Sequence, residues 1–152
     1  MKRPFSLLSP GLLLGLGLVL LFTAQAQQQP RSLEQTLRAA RWHKRVLLVA
    51  APAADHPDYR AQKALLARSQ AQLAERDFLV LDLLDPLLTA ADRRFLTRKT
   101  GLAPARFGAV LLGKDGGVKL QSARPLAPAA LFETVDQMPM RRQEMQRKPG
   151  RQ

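Results

Sequence analysis

Two apolar runs, separated by a long segment without glycine or proline, constrain the fold of this chain most. The runs are VLLVAA at residues 46–51 and FLVLDLL at residues 78–84. Continuous apolar runs bounded by charge and proline favour strands that are buried on both faces. The intervening residues 59–76 are rich in Ala, Leu, Gln and Arg, which favours one long surface helix. This order predicts a right-handed parallel crossover in which both strands are central.

Helix-start and helix-stop residues predict two further helices. Ser32 and Gln35 have the spacing of a capping box, so a short first helix begins there. Thr89 begins a second helix over residues 90–100, and Gly101 follows where a left-handed C-terminal cap belongs. Both helices therefore have a defined end in the sequence.

The second half of the chain predicts a hairpin and a last helix. Asp115-Gly116 lies between two strand-like runs, which is typical of a tight turn between antiparallel strands. Pro128 precedes apolar residues at helical spacing. The complete order predicts an α/β single domain with a central four-stranded mixed sheet flanked by helices.

The N-terminal residues have the three parts of a secretory signal peptide. Lys2 and Arg3 precede an apolar run at residues 11–22, and Ala24-Gln25-Ala26 supplies small residues for cleavage. An uncleaved anchor is the alternative, but the run is shorter than the roughly 20 residues of a spanning helix. The sequence therefore predicts a periplasmic or secreted protein without a stable membrane span after cleavage. The predicted units are a signal peptide at residues 1–26, a loose leader at 27–31, a domain at 32–139 and a basic, disordered tail at 140–152.

Composition excludes several classes of function. The chain contains no cysteine, which excludes disulfide frameworks, zinc–thiolate sites and every cysteine-based reaction. It has 24 Lys and Arg against 12 Asp and Glu, and removal of the signal peptide would leave a net charge of +10. An exported domain of this kind must be held together by packing alone.

The order of elements resembles the thioredoxin-like fold over roughly residues 45–137. Thioredoxins carry a Cys-x-x-Cys pair after the first of these strands, where this sequence reads Asp55-His56-Pro57-Asp58. Thiol–disulfide exchange therefore has no chemical basis here. The family usually has a proline just before its third strand, whereas here Gly108 is nearest and Pro104 lies a few residues earlier.

Three longer phrases resemble a narrower family, domain of unknown function 4174. They begin LRAARWHKRVLLVAAPAADHPD, GAVLLGKDGGVKLQS and LFETVDQMPMRRQEM, and GKDGGVKL and MPMRR are the specific parts. The family is found in bacterial exported proteins and within some animal extracellular-matrix proteins. The resemblance implies a thioredoxin-like fold and brings no established activity or catalytic residues.

One loop offers candidate ligand-binding residues, namely Asp55, His56, Asp58 and Arg60. Two carboxylates and an imidazole could bind a divalent metal, and a His–Asp pair could move protons in a hydrolytic enzyme. The alternative is structural, because Asp and Pro are the expected residues at a helix start. Capping is favoured, so the sequence predicts no catalytic residue, no bound metal and no cofactor.

Trp42 and two groups of cations complete the candidates. An exposed Trp42 among cations could stack on a sugar, a base or a lipid head group. The only Trp of a small domain more often anchors a terminal helix to the core, and this is the predicted role of Trp42. Basic residues could instead bind polyanions through a salt-sensitive surface. They lie on the predicted helix at residues 90–100 and in the tail, at Arg93, Arg94, Arg98, Lys99, Arg141, Arg142, Arg147, Lys148 and Arg151.

The sequence as a whole predicts an exported, non-catalytic binding or interaction module of the cell envelope. Its partner would be a protein or an anionic envelope component, with no specific nucleic acid. A metal-binding or hydrolytic enzyme using the Asp55–Asp58 loop is the first alternative, and polyanion binding through the tail is the second.

Overall fold

A computed structural model describes residues 31–147. Six α-helices, four strands and one 3-10 turn follow one another in these residues. Their bounds are α1 Leu33–Ala40, β1 Arg45–Ala51, α2 Pro57–Ala67, α3 Gln70–Glu75, β2 Phe78–Leu84, the 3-10 turn Asp85–Leu87, α4 Ala90–Thr100, β3 Gly108–Leu112, β4 Val118–Ser122, α5 Pro128–Asp136 and α6 Pro139–Arg147.

The four strands form one mixed sheet in the order β2-β1-β3-β4. β1 pairs in parallel with β2, with Arg45 opposite Phe78, and antiparallel with β3, with Leu48 opposite Val110. β3 and β4 form the antiparallel hairpin that Asp115-Gly116 predicts. A parallel half joined by a crossing helix to a hairpin and a following helix is the predicted thioredoxin-like topology, which the strand order confirms.

The core lies on both faces of β1 and β3. Successive side chains of a strand point to opposite faces, so β1 contributes to two separate apolar clusters. One cluster joins Val46 and Leu48 to α1 and α4, and the other joins Leu47 and Val49 to α2, α3 and α5. Every residue of β1 and β3 is buried. For β1, this confirms the prediction of a strand that is buried on both faces.

β2 differs from the prediction because it lies at the edge of the sheet. Only Leu83 of this strand is buried, whereas most of its other residues are partly exposed. The prediction that β2 is central is therefore wrong. The apolar run does not distinguish the two positions, because an edge strand covered on both faces by helices needs almost as many apolar side chains as a central one.

The predicted helix caps are confirmed. The side-chain oxygen of Ser32 accepts from the Gln35 backbone N–H while the Gln35 side chain accepts from the Ser32 N–H. The Thr89 side chain accepts from the Asp92 backbone N–H, and Gly101 ends α4 at φ +73°. A carboxylate oxygen of Asp92 also accepts from the Leu33 N–H at 2.8 Å, which joins the start of α1 to α4.

The single long helix predicted for residues 59–76 is wrong, because the structure divides it into α2 and α3. Ser69 leaves helical geometry at φ −125°. Its backbone N–H donates to the Leu66 carbonyl at 3.0 Å, and the Gln70 side chain donates to the same carbonyl at 3.1 Å. The Leu66 carbonyl therefore still accepts hydrogen bonds at the point where the helix breaks. Both Leu66 and Leu73 remain buried.

The C-terminal segment is ordered through Arg147, so the prediction of a disordered tail from residue 140 is wrong for residues 140–147. Here α6 continues the chain after α5, and Arg141 is only 3% exposed. The pattern of charges predicts a solvated segment, whereas Arg141 and Glu144 are paired in the folded protein. Residues 148–152 lie outside the described residues, as do the predicted signal peptide and residues 27–30 of the leader.

Within residues 31–147, no helix has the length and the apolar character needed to cross a membrane.

Candidate functional site

The loop of the candidate residues joins β1 to α2. His56 is the N-terminal cap residue of α2, and its side chain makes no capping hydrogen bond. Pro57 is the first residue of the helix and Asp58 lies in its first turn, where a carboxylate complements the helix dipole. The prediction that an aspartate caps this helix is thus wrong for Asp55, which lies exposed one residue before the cap.

The four candidate residues differ in exposure. Asp55 and Arg60 are exposed, while His56 and Asp58 are partly buried. Among residues 31–147, no group of three or more His, Asp or Glu side chains is placed to hold a metal ion.

His56 packs against the start of β3. Its ring stacks on Phe107 with centroids 6.0 Å apart and planes 11° from parallel. Its Nδ1 atom is buried and has no hydrogen-bond partner among the described residues. Six residues after His56, the buried Gln62 side chain accepts from the Leu126 N–H at 2.7 Å and donates to the Leu126 carbonyl at 3.1 Å. These contacts fix the loop to the sheet and to the segment before α5.

A second group of charged residues, the C-terminal ion cluster, lies around α6 and contains two buried arginines, Arg45 and Arg141. It joins the ends of β1, α3, α5 and α6 to the β3–β4 hairpin. We define it by its members, which are Arg45, Glu75, Arg76, Asp77, Lys114, Asp136, Arg141 and Glu144.

Arg45 lies at the centre of this cluster. Its side chain is fully buried, and its two terminal nitrogens each donate to Glu144 at 3.2 Å in a bidentate pair. Lys114 donates to both Asp77 and Glu144, at 2.8 and 2.7 Å. Arg141 donates to Glu75 at 2.6 Å and to Asp136 at 3.2 Å. Bidentate arginine–carboxylate pairs are strong and directional, so α6 is held in one position.

Three carboxylates of the cluster, Asp77, Asp136 and Glu144, have pKa values that are lowered, which favours the ionised form. For Asp136, the hydrogen bond from Arg76 is the largest effect and lowers the pKa, with Arg141 adding to it against the effect of burial. For Glu144, burial raises the pKa, but Lys114 and Arg45 outweigh it, so the net pKa is lowered. The pKa of Asp77 is lowered in the same way, chiefly by Lys114. The cluster is therefore a set of charged pairs at neutral pH.

Trp42 lies in the turn between α1 and β1, and it is not the predicted anchor. Its side chain is 56% exposed, and its backbone has φ +69°, a conformation that bulky residues rarely adopt. The Trp42 N–H donates to the Lys114 carbonyl at 2.6 Å, which holds the turn against the hairpin. The Arg41 guanidinium stacks on the indole ring, 5.0 Å from its centroid. We call this segment, Arg41–His43, the Trp42 turn.

A cavity of about 540 Å³ adjoins the Trp42 turn, between α1, α4 and the hairpin. We call it the α1–α4 cavity. Its apolar lining comes from Leu37, Val46, Phe95 and Leu112, and its cationic lining from Arg38, Arg41, Lys44 and Lys99. Arg41 belongs to both features, because it lines the cavity and stacks on Trp42.

Sequence reasoning missed the ion cluster and the cavity for different reasons. The partners Arg45 and Glu144 are 99 residues apart, and no local pattern joins them. Glu144 within an otherwise basic segment was the one available indication of a partner. Trp42 is exposed because its backbone lies in the left-handed region, and no glycine in the neighbouring sequence indicates that conformation.

Three comparisons relate the chain to known proteins. The model of the family described as domain of unknown function (DUF4174) matches residues 36–144. The chain is 30% identical over 147 residues to coiled-coil domain-containing protein 80 of Danio rerio, with 81% of this chain covered. It spans 17% of the length of that protein.

Among solved structures, a peroxiredoxin, Prx1a of Plasmodium yoelii, matches 74% of this chain and 79% of its own chain, with 14% identity and a TM-score of 0.45. This likeness is too distant to support an argument, so the thioredoxin-like assignment depends on the strand order. The family match covers most of the described residues, from α1 to the Glu144 partner of Arg45 in α6. The chain belongs to the domain of unknown function 4174 family.

Proposed function

We propose that this chain is an exported, non-catalytic binding module of the cell envelope, and that it binds through the Trp42 turn and the adjoining cavity. The observation that carries the proposal is the exposed Trp42 with Arg41 stacked on it. Tryptophan and arginine are the residue types that contribute most to binding energy at protein interfaces.

The backbone of the turn supports a binding role. A tryptophan at φ +69° is strained, and strain of this kind costs about 1–3 kcal/mol. The hydrogen bond from Trp42 to the Lys114 carbonyl holds the strained turn in place. Because Lys114 is itself paired with Asp77 and Glu144, the turn is presented by a rigid support. A preorganised aromatic side chain loses little entropy when a ligand covers it.

We also propose, on chemical grounds, that the chain is not a catalyst. Thiol chemistry requires cysteine, and the sequence contains none. The Asp55–Asp58 loop has a histidine whose ring is stacked on Phe107 and two carboxylates that do not converge with it. A hydrolytic site requires a base within hydrogen-bond reach of the group that it activates.

Export is supported by the signal-like pattern of residues 1–26, with its basic start, apolar run and Ala-Gln-Ala site. The test is mass spectrometry of the protein recovered from the envelope or medium of a producing bacterium. We expect a chain that begins near Gln27, and an intact N-terminus retained in the cytoplasm would contradict export.

The binding role is tested by a thermal-shift screen, because a ligand that binds the folded state raises the unfolding temperature. The probes are zinc ions, sodium dodecanoate below its micellar concentration, and dextran sulfate. We expect at least one probe to raise the unfolding temperature of the parent protein, and the Trp42→Ala variant to lose that shift.

The matched control for this screen is the triple variant Asp55→Ala, His56→Ala, Asp58→Ala, which should keep the shift. A shift that is lost in the triple variant and kept in Trp42→Ala would instead favour the metal-binding or hydrolytic loop. No shift with any probe would contradict the proposed binding surface.

A further inference from the structure

The α1–α4 cavity contains two cations that no carboxylate among residues 31–147 neutralises. Within the cavity lining, Arg38 pairs with Glu34 at 3.1 Å, and Asp115 pairs with Lys119 at 2.8 Å. Lys44 lies 3.9 Å from Asp77, which Lys114 holds more closely at 2.8 Å. In residues 31–147, Arg41 and Lys99 have no carboxylate within ion-pair distance. The cavity therefore offers free positive charge to an anion.

The rest of the lining is apolar. Val46 and Leu112 are buried beneath the cavity, and Leu37 and Phe95 are partly exposed to it. A volume of about 540 Å³ lies within the range of roughly 300–1,000 Å³ found for small-molecule sites. An apolar concavity with charges at its margin fits a ligand with an apolar body and one acidic end.

The hairpin contributes glycines to the cavity, but its backbone donors are already used. The N–H of Gly113 donates to the Gly117 carbonyl, and that of Gly116 donates to the Gly113 carbonyl. The N–H of Gly117 donates to the Asp115 carboxylate at 3.0 Å. These three glycine N–H groups are therefore already occupied, whereas the side chains of Arg41 and Lys99 are available to a bound anion.

We infer that the α1–α4 cavity binds a long-chain carboxylate, with its alkyl chain against Leu37 and Phe95 and its carboxylate at Lys99 or Arg41. This inference rests on the proposed binding role of the Trp42 turn and names the class of ligand. A sulfated or phosphorylated polymer fits less well, because it would need a continuous track of cations, whereas here the cations surround an apolar surface.

Trp42 is the reporter for the test. It is the only tryptophan of the chain, and Arg41 connects its indole ring to the cavity. A ligand that engages Arg41 changes the surroundings of the indole and therefore its fluorescence emission. The titration uses the purified protein with dodecanoate, dodecyltrimethylammonium and dextran sulfate, the first two below their micellar concentrations.

We expect dodecanoate to change the Trp42 emission with a saturable dependence, and dodecyltrimethylammonium to have little effect. The Lys99→Gln variant should bind dodecanoate about tenfold more weakly, since a hydrogen bond to a charged group contributes roughly 1.5–3 kcal/mol. The control is Arg98→Gln, because Arg98 is an exposed cation in the same last turn of α4 but does not line the cavity. Arg98→Gln should bind within about twofold of the parent protein.

Two outcomes would overturn the inference and leave the proposed function intact. One is equal binding of the two amphiphiles, which would make charge irrelevant. The other is a Trp42 response to dextran sulfate alone, which would make the surface a polyanion site. A Trp42 emission that responds to none of the three probes would contradict the proposed function as well.

Discussion

The C-terminal ion cluster and the α1–α4 cavity use the same kind of residue in opposite ways. In the cluster, Arg45 and Arg141 are almost fully buried, and each is matched by carboxylates. In the cavity lining, Arg41 and Lys99 have no such partner in residues 31–147. The excess of positive charge in the sequence does not show which cations are available to a ligand. The positions of the twelve acidic residues determine which cations are paired within the protein.

Lys114 connects the two regions. Its side chain belongs to the cluster through Asp77 and Glu144, and its carbonyl accepts from the N–H of Trp42. The cluster thus supports the turn that presents Trp42. We therefore expect variants in the cluster to lower the free energy of unfolding, and variants in the cavity region to weaken ligand binding.

The largest expected effect is that of Glu144→Ala. This change leaves the buried Arg45 guanidinium without its bidentate carboxylate, and removal of one partner of a buried pair costs about 3 kcal/mol. Urea unfolding followed by circular dichroism measures the loss. The control is Arg142→Ala, an exposed neighbour on α6, which should change the free energy of unfolding by less than about 0.5 kcal/mol. Equal effects of the two variants would mean that the cluster does not hold α6.

The next effect is a loss of stability in acid. The pKa values of Asp77, Asp136 and Glu144 are lowered in the folded state, so the unfolded state binds more protons as the pH falls. Their contribution is fully present above the unfolded values of about 4 and is lost as the pH falls through the lower, folded values. Melting temperatures measured from pH 7 to pH 2 should fall mainly below about pH 4.

The matched variant for the acid series is Asp136→Asn, which removes one of the three carboxylates of the C-terminal ion cluster whose pKa is lowered. Its melting temperature at neutral pH should be lower than that of the parent protein, and the two curves should converge toward pH 2. Parallel curves would show that Asp136 does not contribute to the acid sensitivity.

The smallest effect on stability is expected for Trp42→Gly. Glycine adopts φ +69° without strain, which offsets the larger entropy that it loses on folding. The free energy of unfolding should therefore stay within about 1 kcal/mol of the parent value. The same variant should lose the dodecanoate-induced thermal shift. A large loss of stability would mean that Trp42 is a packing residue despite its exposure.

The parts of the fold that local patterns specify were predictable. The capping box at Ser32, the left-handed cap at Gly101 and the hairpin at Asp115-Gly116 each depend on a few adjacent residues, and all are present. The break at Ser69 and the edge position of β2 depend on tertiary packing, which a helical pattern or an apolar run does not encode. Among the candidate site residues, the sequence placed His56 at a helix start, but its stacking on Phe107 joins distant segments.

The site features that escaped prediction are those in which residue type gave the wrong expectation. A charged residue next to an apolar run predicts the exposed end of a strand. Arg45 is nevertheless fully buried, because Glu144 compensates its charge. A lone tryptophan reads as a core residue, yet Trp42 is exposed because its backbone turns away at the end of α1. Both outcomes depend on residues of the second half of the chain, Glu144 and Lys114.

The separation of 99 residues between Arg45 and Glu144 also has a consequence for folding. Loop closure over such a distance is slow compared with the formation of local helices and hairpins. Because the chain is synthesised from its N-terminus, Arg45 is made long before Glu144, its counter-ion in α6. The ion pair that holds α6 against the central strand can therefore form only after almost the whole domain has been synthesised.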